Sequence, residues 1–115
     1  MIPFGDLHKQ YIAIQSEIDG AIREVLDSGW FILGKQGEAF EQEFANYCGA
    51  RYGVGVGSGT EALHLALLAA GVEPGDEVIT VPNTAVPTVS AITLAQAYPR
   101  FVDINSVTYL MNVEL

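Results

Sequence analysis

A glycine-rich turn between an apolar segment and an apolar helix is the part of the chain that could bind an anion. The run reads Gly53-Val54-Gly55-Val56-Gly57-Ser58-Gly59-Thr60-Glu61 and is followed by the alanine- and leucine-rich residues 62–69. A helix that begins after such a turn points free backbone N–H groups outward, and its dipole adds partial positive charge. The missing Cβ atoms at Gly57 and Gly59 would let a phosphate group approach the backbone closely.

Two well-known phosphate motifs do not fit this turn. The dinucleotide fingerprint needs glycine at its sixth place, which is Ser58 when counted from Gly53 and Thr60 when counted from Gly55. The P-loop needs a Lys-Ser or Lys-Thr pair, and the sequence contains neither. Ser58-x-x-Glu61 also matches a helix capping box, which needs no ligand. From the turn alone, a phosphate site with hydroxyl donors from Ser58 and Thr60 and a simple helix cap are both open.

The composition limits the classes of function. Half of the 115 residues are hydrophobic, only 17% are charged, and the mean hydropathy is +0.28. A free-standing domain of this size typically has about 25% charged residues, so we expect further chain or a partner to cover part of the apolar surface. The net charge is −9 and there is no basic patch, which argues against a nucleic-acid partner.

The N-terminus and the single cysteine favour a cytoplasmic protein. Cys48 excludes an internal disulfide, fits a reducing compartment, and is interpreted as a small buried side chain. The N-terminus lacks the basic start and apolar core of a signal peptide. No apolar run approaches the roughly 20 residues that span a bilayer, so we expect no membrane partner. His8 and His64 have no paired ligands nearby in the sequence, and we expect no metal site.

Apolar periodicity predicts two helices followed by alternating strands and helices. The predicted helices are residues 10–28, 37–48, 60–70 and 84–97, and the predicted strands are 52–56, 77–81 and 100–104. The order β-α-β-α-β with nearly continuous apolar strands is typical of a parallel sheet covered by helices. Such a sheet binds ligands at the carboxyl ends of its strands, where residues 57–60 and 82–85 follow two of them. This placement favours a ligand site over a helix cap alone.

Four segments, in this order and spacing, carry a resemblance to a known family. They are Ser28-Gly29-Trp30-Phe31-Ile32-Leu33-Gly34, Gly57-Ser58-Gly59-Thr60-Glu61-Ala62-Leu63, Pro74-Gly75-Asp76-Glu77-Val78 and Phe101-Val102-Asp103-Ile104. From Ile2-Pro3-Phe4 through Asp103, the chain resembles the N-terminal part of the DegT/DnrJ/StrS family of PLP-dependent nucleotide-sugar aminotransferases. The resemblance implies an α/β fold in which residues 1–115 form part of a fold-type-I aminotransferase large domain. It also implies a β-α-β-α-β parallel sheet preceded by two helices, and a homodimer.

The resemblance also implies a cofactor, its binding residues and the reactants. Ser58, Gly59 and Thr60 would bind the phosphate of pyridoxal 5'-phosphate (PLP), and the reactants would be a nucleotide sugar and an amino-acid donor. Ala85 stands where many members have an aromatic residue that stacks on the pyridine ring. A methyl group cannot stack, so either another residue covers the ring or the ring is bound differently. For the neighbouring Thr84 and Thr88 we favour helix capping.

Transamination also needs a lysine that holds PLP as a Schiff base. The chain has only Lys9 and Lys35, and neither has the family's lysine context. We therefore assign no catalytic residue and expect an N-terminal portion of an aminotransferase that is inactive alone. Two alternatives stay open, namely half of a split enzyme and a non-catalytic protein that binds phosphate or a sugar phosphate. For Trp30 and Phe31, a place near the substrate and dimer contact and simple core packing are both open.

Overall fold

The computed structural model describes residues 4–114, so Ile2 and Pro3, where the resemblance begins, lie outside the described residues. The chain divides into two compact units, the first ending at Gly55 and the second beginning at Val56. The first unit contains helices α1 (Leu7–Ser28) and α2 (Lys35–Tyr47). The second contains α3 (Gly59–Ala69), β1 (Glu77–Thr80), α4 (Val86–Leu94) and β2 (Tyr98–Phe101). None of the helices described between residues 4 and 114 has the length and apolar character needed to cross a membrane.

Both ends of α1 are fixed by local hydrogen bonds. The Asp6 carboxylate accepts the Lys9 N–H at 2.9 Å, which satisfies one of the free donors of the first turn. Gly29 ends the helix with a φ of 64°, and its N–H donates to the Leu26 carbonyl at 3.2 Å. The left-handed conformation at this position favours glycine, so the predicted stop is confirmed. A kink at Ile14, with a φ of −122°, divides the helix.

Helix α2 differs from the prediction at both ends. The helix begins at Lys35, directly after the extended Gly34, rather than at the predicted residue 37. The interpretation of Cys48 as buried is wrong, because the thiol is exposed at the C-terminal end of the helix. Tyr47 beside it is also exposed, at 88%, whereas Ala45 in the same last turn is buried. Trp30 and Phe31 are also exposed, which argues against core packing for them within the described residues.

In the second unit, helices cover one face of a two-stranded parallel sheet. β1 pairs with β2 in the register Val78↔Pro99 and Thr80↔Phe101. α4 packs on the sheet and α3 packs on α4. The buried side chains of this unit lie on α4, just after it and at the end of β1: Ala91, Ile92, Ala95, Ala97 and Thr80. The mixed α/β class is therefore confirmed, with strands that run parallel around a helical crossover.

The predicted first strand at 52–56 does not form. No residue between 4 and 114 pairs with it in a ladder, and its Gly55 N–H donates instead to Glu41 Oε1 of α2 at 2.6 Å. An apolar alternating sequence indicates what a segment can do in a sheet, but a strand also needs a neighbouring backbone. The described sheet thus has two strands where three were predicted.

The types of the last three elements, β1, α4 and β2, were predicted correctly, but their bounds differ from the prediction. β2 begins at Tyr98 rather than residue 100, because the Tyr98 N–H already donates to the Asp76 carbonyl at 2.7 Å. α4 is shorter than the predicted 84–97. It ends before Gln96, whose left-handed φ of 59° turns the chain and whose carbonyl accepts the Gly75 N–H at 2.9 Å. Pro87 lies in the first turn of α4, where a proline is tolerated because its missing N–H would have no partner within the helix.

An ion pair on the sheet gives a pH-dependent contact. Arg100 donates its Nε–H to Glu77 Oε1 at 2.7 Å, and this bond lowers the pKa of Glu77 below its ordinary value. The stabilisation by this ion pair is therefore present above the ordinary pKa of glutamate and is lost as the pH falls through the lowered pKa of Glu77. In a ¹³C NMR titration of the carboxyl group, Arg100→Gln should raise the pKa of Glu77 towards its ordinary value. Arg51→Gln should leave it unchanged, and equal titration in wild type and Arg100→Gln would contradict the contact.

Candidate anion-binding site

The first turn of α3 is capped by its own side chains. Ser58 has the extended conformation of an N-cap, with φ −161° and ψ 162°, and its Oγ accepts the Glu61 N–H at 3.2 Å. Glu61 Oε2 accepts the Gly57 N–H at 2.7 Å. The capping box predicted from Ser58-x-x-Glu61 is thus made, but its carboxylate reaches one residue further back than the usual N-cap N–H.

The cap leaves a set of backbone donors free. The N–H groups of Ser58, Gly59 and Thr60 donate to no acceptor among residues 4–114. Ser58 and Gly59 are exposed and Thr60 is partly exposed, so these consecutive donors face solvent at the positive end of the helix dipole. The two interpretations left open by the sequence are therefore compatible, since the cap uses N–H groups of Gly57 and Glu61 and leaves the middle three unoccupied.

Positions 57 and 59 of the turn are occupied by glycine for different local reasons. A Cβ added at Gly57 would lie 2.7 Å from Glu61 Oε2, so the capping carboxylate occupies the space that a side chain would need. A Cβ added at Gly59 would meet nothing within 4 Å. The packing of the described residues does not require glycine at position 59, and the open space there gives a ligand direct access to the backbone.

The preceding glycines belong to the packing of the first unit. A Cβ at Gly53 would lie 2.5 Å from the backbone carbonyl oxygen of Glu41, which excludes any larger residue without a backbone shift. At Gly55 the nearest atom is the Glu41 carboxylate, which accepts the Gly55 N–H. The glycine-rich run therefore has two functions, and only residues 57–60 form the anion site.

The loop before α4 is arranged differently from the prediction. Ala85 is the N-cap, exposed and extended with φ −80° and ψ 152°, and no side chain caps this helix. The capping role predicted for Thr84 and Thr88 is wrong, because their hydroxyl groups bond to each other at 2.7 Å. The Thr88 N–H donates to the Ala85 carbonyl at 3.1 Å, and Pro87 has no N–H to cap.

The second unit has an apolar pocket between its two helices and β1. Leu63 near the start of α3, Thr80 at the end of β1 and Thr88 near the start of α4 all line one apolar pocket of about 250 Å³. The predicted place of residues 57–60 at the carboxyl end of a strand is not found, because residues 52–56 form no strand within the described residues. Residues 82–85 do follow β1, as predicted.

A comparison with protein families agrees with this geometry. Residues 12–115 match the DegT/DnrJ/EryC1/StrS aminotransferase family. The match covers nearly the whole chain and includes both loops of the candidate site. The chain belongs to this family.

Individual relatives are similar over the same region. The erythromycin biosynthesis sensory transduction protein EryC1 of Saccharopolyspora erythraea is 45% identical over 99% of this chain and 31% of its own length. The dTDP-3-amino-3,6-dideoxy-alpha-D-galactopyranose transaminase of Aneurinibacillus thermoaerophilus is 44% identical over 95% of this chain and 30% of its own length. The chain therefore spans about 30% of the length of these curated relatives.

A solved structure supports the fold. The crystal structure of NtdA from Bacillus subtilis with bound cofactor PMP superposes with a TM-score of 0.75 at 39% identity. The superposition covers 78% of this chain and 21% of NtdA. The α/β arrangement described above is thus one found in NtdA, whose structure contains the bound cofactor PMP.

Proposed function

We propose that this chain supplies the phosphate-binding part of a PLP-dependent aminotransferase that moves an amino group from an amino-acid donor to a keto-sugar nucleotide. The observation that carries the proposal is the row of free N–H groups at Ser58, Gly59 and Thr60, at the positions that the family resemblance gives to the cofactor phosphate. The transaminase among the relatives favours this function over a non-catalytic sugar-phosphate binder.

The residues present fit a phosphate group. The Ser58 hydroxyl accepts from Glu61 through its oxygen, which leaves its own proton free to donate, and Thr60 adds a second hydroxyl group. A phosphate dianion at this point would also interact favourably with the helix dipole. The bound cofactor would supply the electron sink that amino transfer requires, whereas this chain's residues would hold and orient its phosphate.

Apart from the phosphate site, this chain supplies few of the groups that the cofactor site needs. Ala85, exposed at the start of α4, offers a methyl group where an aromatic ring would stack, so we propose that another residue covers the pyridine ring. Neither Lys9 nor Lys35 matches the lysine that transamination needs. Three further predictions are part of the proposal: a homodimer, residues 1–115 as the N-terminal part of an aminotransferase large domain, and a cytoplasmic location.

Calorimetric titration of the 115-residue chain tests the proposal. We expect saturable binding of PLP and of inorganic phosphate, and no binding of pyridoxal, which lacks the phosphate. Replacing both hydroxyls, by Ser58→Ala with Thr60→Val, should weaken PLP binding by about a hundredfold or more, since each lost hydrogen bond to a charged group contributes about 1.5–3 kcal/mol. We also expect no transaminase turnover by the chain alone.

A matched control keeps the result specific. The pair Thr84→Val with Thr88→Val removes two hydroxyls from the α4 loop, which bond to each other and not to α3. This pair should bind PLP with unchanged affinity. Equal binding of pyridoxal and PLP would contradict the proposal, because the phosphate would then contribute nothing.

A further inference from the structure

Glu61 makes a contact in the candidate site that a simple helix cap does not require. Its Oε2 accepts the N–H of Gly57, four residues earlier, at 2.7 Å, while its own N–H donates to Ser58 Oγ. These two hydrogen bonds tie Glu61 back to Gly57 and Ser58, so residues 57–61 form a closed turn. Between them lie the three residues whose N–H groups are free.

We infer that Glu61 is a positioning residue of the phosphate site, an inference that rests on the proposed function. The Gly57 N–H would otherwise be a fourth donor in the turn, and the Glu61 carboxylate occupies it. The turn is held from both sides, so the N–H groups of Ser58, Gly59 and Thr60 keep their outward direction before any ligand arrives. Preorganised donors of this kind bind without a further cost for ordering the loop.

The same carboxylate acts against free anions. It carries negative charge into the first turn of α3, where a phosphate would also lie. Like charges at one helix N-terminus repel, so Glu61 lowers the affinity of the turn for a small anion that has no other contacts. A ligand held through additional groups tolerates this repulsion better. The repulsion lowers the affinity for every phosphate by a similar factor, so a ligand with further contacts is the one that still binds tightly.

Two substitutions separate positioning from charge. Glu61→Gln keeps an oxygen acceptor for Gly57 and removes the charge, so inorganic phosphate should bind about two- to fivefold more tightly than to wild type. Glu61→Ala removes both the acceptor and the charge. It should bind phosphate about two- to tenfold more weakly than Glu61→Gln, which is the factor in affinity that one net hydrogen bond contributes. The readout is the amide ¹H–¹⁵N shifts of Ser58, Gly59 and Thr60 during titration with inorganic phosphate. Glu73→Gln makes the same change in net charge in the loop before β1 and should bind like wild type.

Hydrogen exchange in the wild-type chain provides a test that needs no variant. The Gly57 amide should exchange more slowly than the amides of Ser58, Gly59 and Thr60. Equal exchange at all four, or equal phosphate affinity of Glu61→Gln and Glu61→Ala, would overturn the inference while leaving the phosphate site itself in place. If wild type and both variants give no saturable shifts at these amides, the proposed phosphate site fails and the role of Glu61 fails with it.

Discussion

Replacing Gly59 with aspartate is expected to weaken phosphate and PLP binding by at least about tenfold without unfolding α3. A Cβ at position 59 would meet nothing within 4 Å, so the backbone there has room for the start of a side chain. The new carboxylate would lie beside the bound phosphate, and two like charges about 4 Å apart repel by about 1 kcal/mol in water and about 4 kcal/mol near a protein surface. An acidic residue in the first helical turn is otherwise favourable, so the free energy of unfolding should not fall.

Two controls make this result specific to the site. Gly37 lies in the first turn of α2 and also has open space for a side chain, so Gly37→Asp makes the same charge change at another helix start. It should leave PLP binding, measured by calorimetry, unchanged. Gly59→Ala adds the Cβ without the charge, so it should reduce binding less than Gly59→Asp does. If Gly59→Asp binds PLP as tightly as wild type does, the phosphate does not lie at this turn.

The second large effect is expected in the core of the second unit. Ile92 is 2% exposed on α4, and truncating a buried isoleucine to alanine typically costs about 2–5 kcal/mol. The free energy of unfolding of an ordinary protein is about 5–15 kcal/mol, so Ile92→Ala should remove a large part of that free energy. In a urea denaturation monitored by circular dichroism, the loss of stability should appear as a lower urea concentration at the midpoint of unfolding.

Ile79 offers the matched comparison. It is the same residue type but is 59% exposed on β1, so Ile79→Ala should cost less than about 1 kcal/mol. Equal losses of stability in the two variants would show that α4 does not pack on the sheet as described. A smaller loss for Ile92→Ala than for Ile79→Ala would contradict the assignment of the core directly.

The features that could be predicted from the sequence are those determined within a few neighbouring residues. The stop of α1 at Gly29 and the box between Ser58 and Glu61 depend on local backbone conformation and spacing. The parallel pairing of β1 and β2 followed from two apolar segments separated by a helix. The family segments identified the same turn as a site for the cofactor phosphate, which remains a prediction.

The features that could not be predicted depend on partners elsewhere in the chain. Residues 52–56 have an apolar strand pattern, but whether they pair depends on a neighbouring backbone, and Glu41 takes their Gly55 N–H instead. The hydroxyl bond between Thr84 and Thr88 depends on α4 starting at Val86, one residue later than a threonine cap would require. The reach of Glu61 to Gly57 instead of Ser58 depends on side-chain rotamers, which spacing alone does not determine.

Amide mapping with the whole cofactor tests the central claim most directly. In ¹H–¹⁵N spectra of the 115-residue chain, PLP should shift the amides of Ser58, Gly59 and Thr60 in a saturable way, because their N–H groups have no acceptor among residues 4–114. Pyridoxal at the same concentration should leave these amides unshifted. Saturable PLP shifts confined to other residues, or identical shifts with pyridoxal, would contradict the assignment of the phosphate to the start of α3.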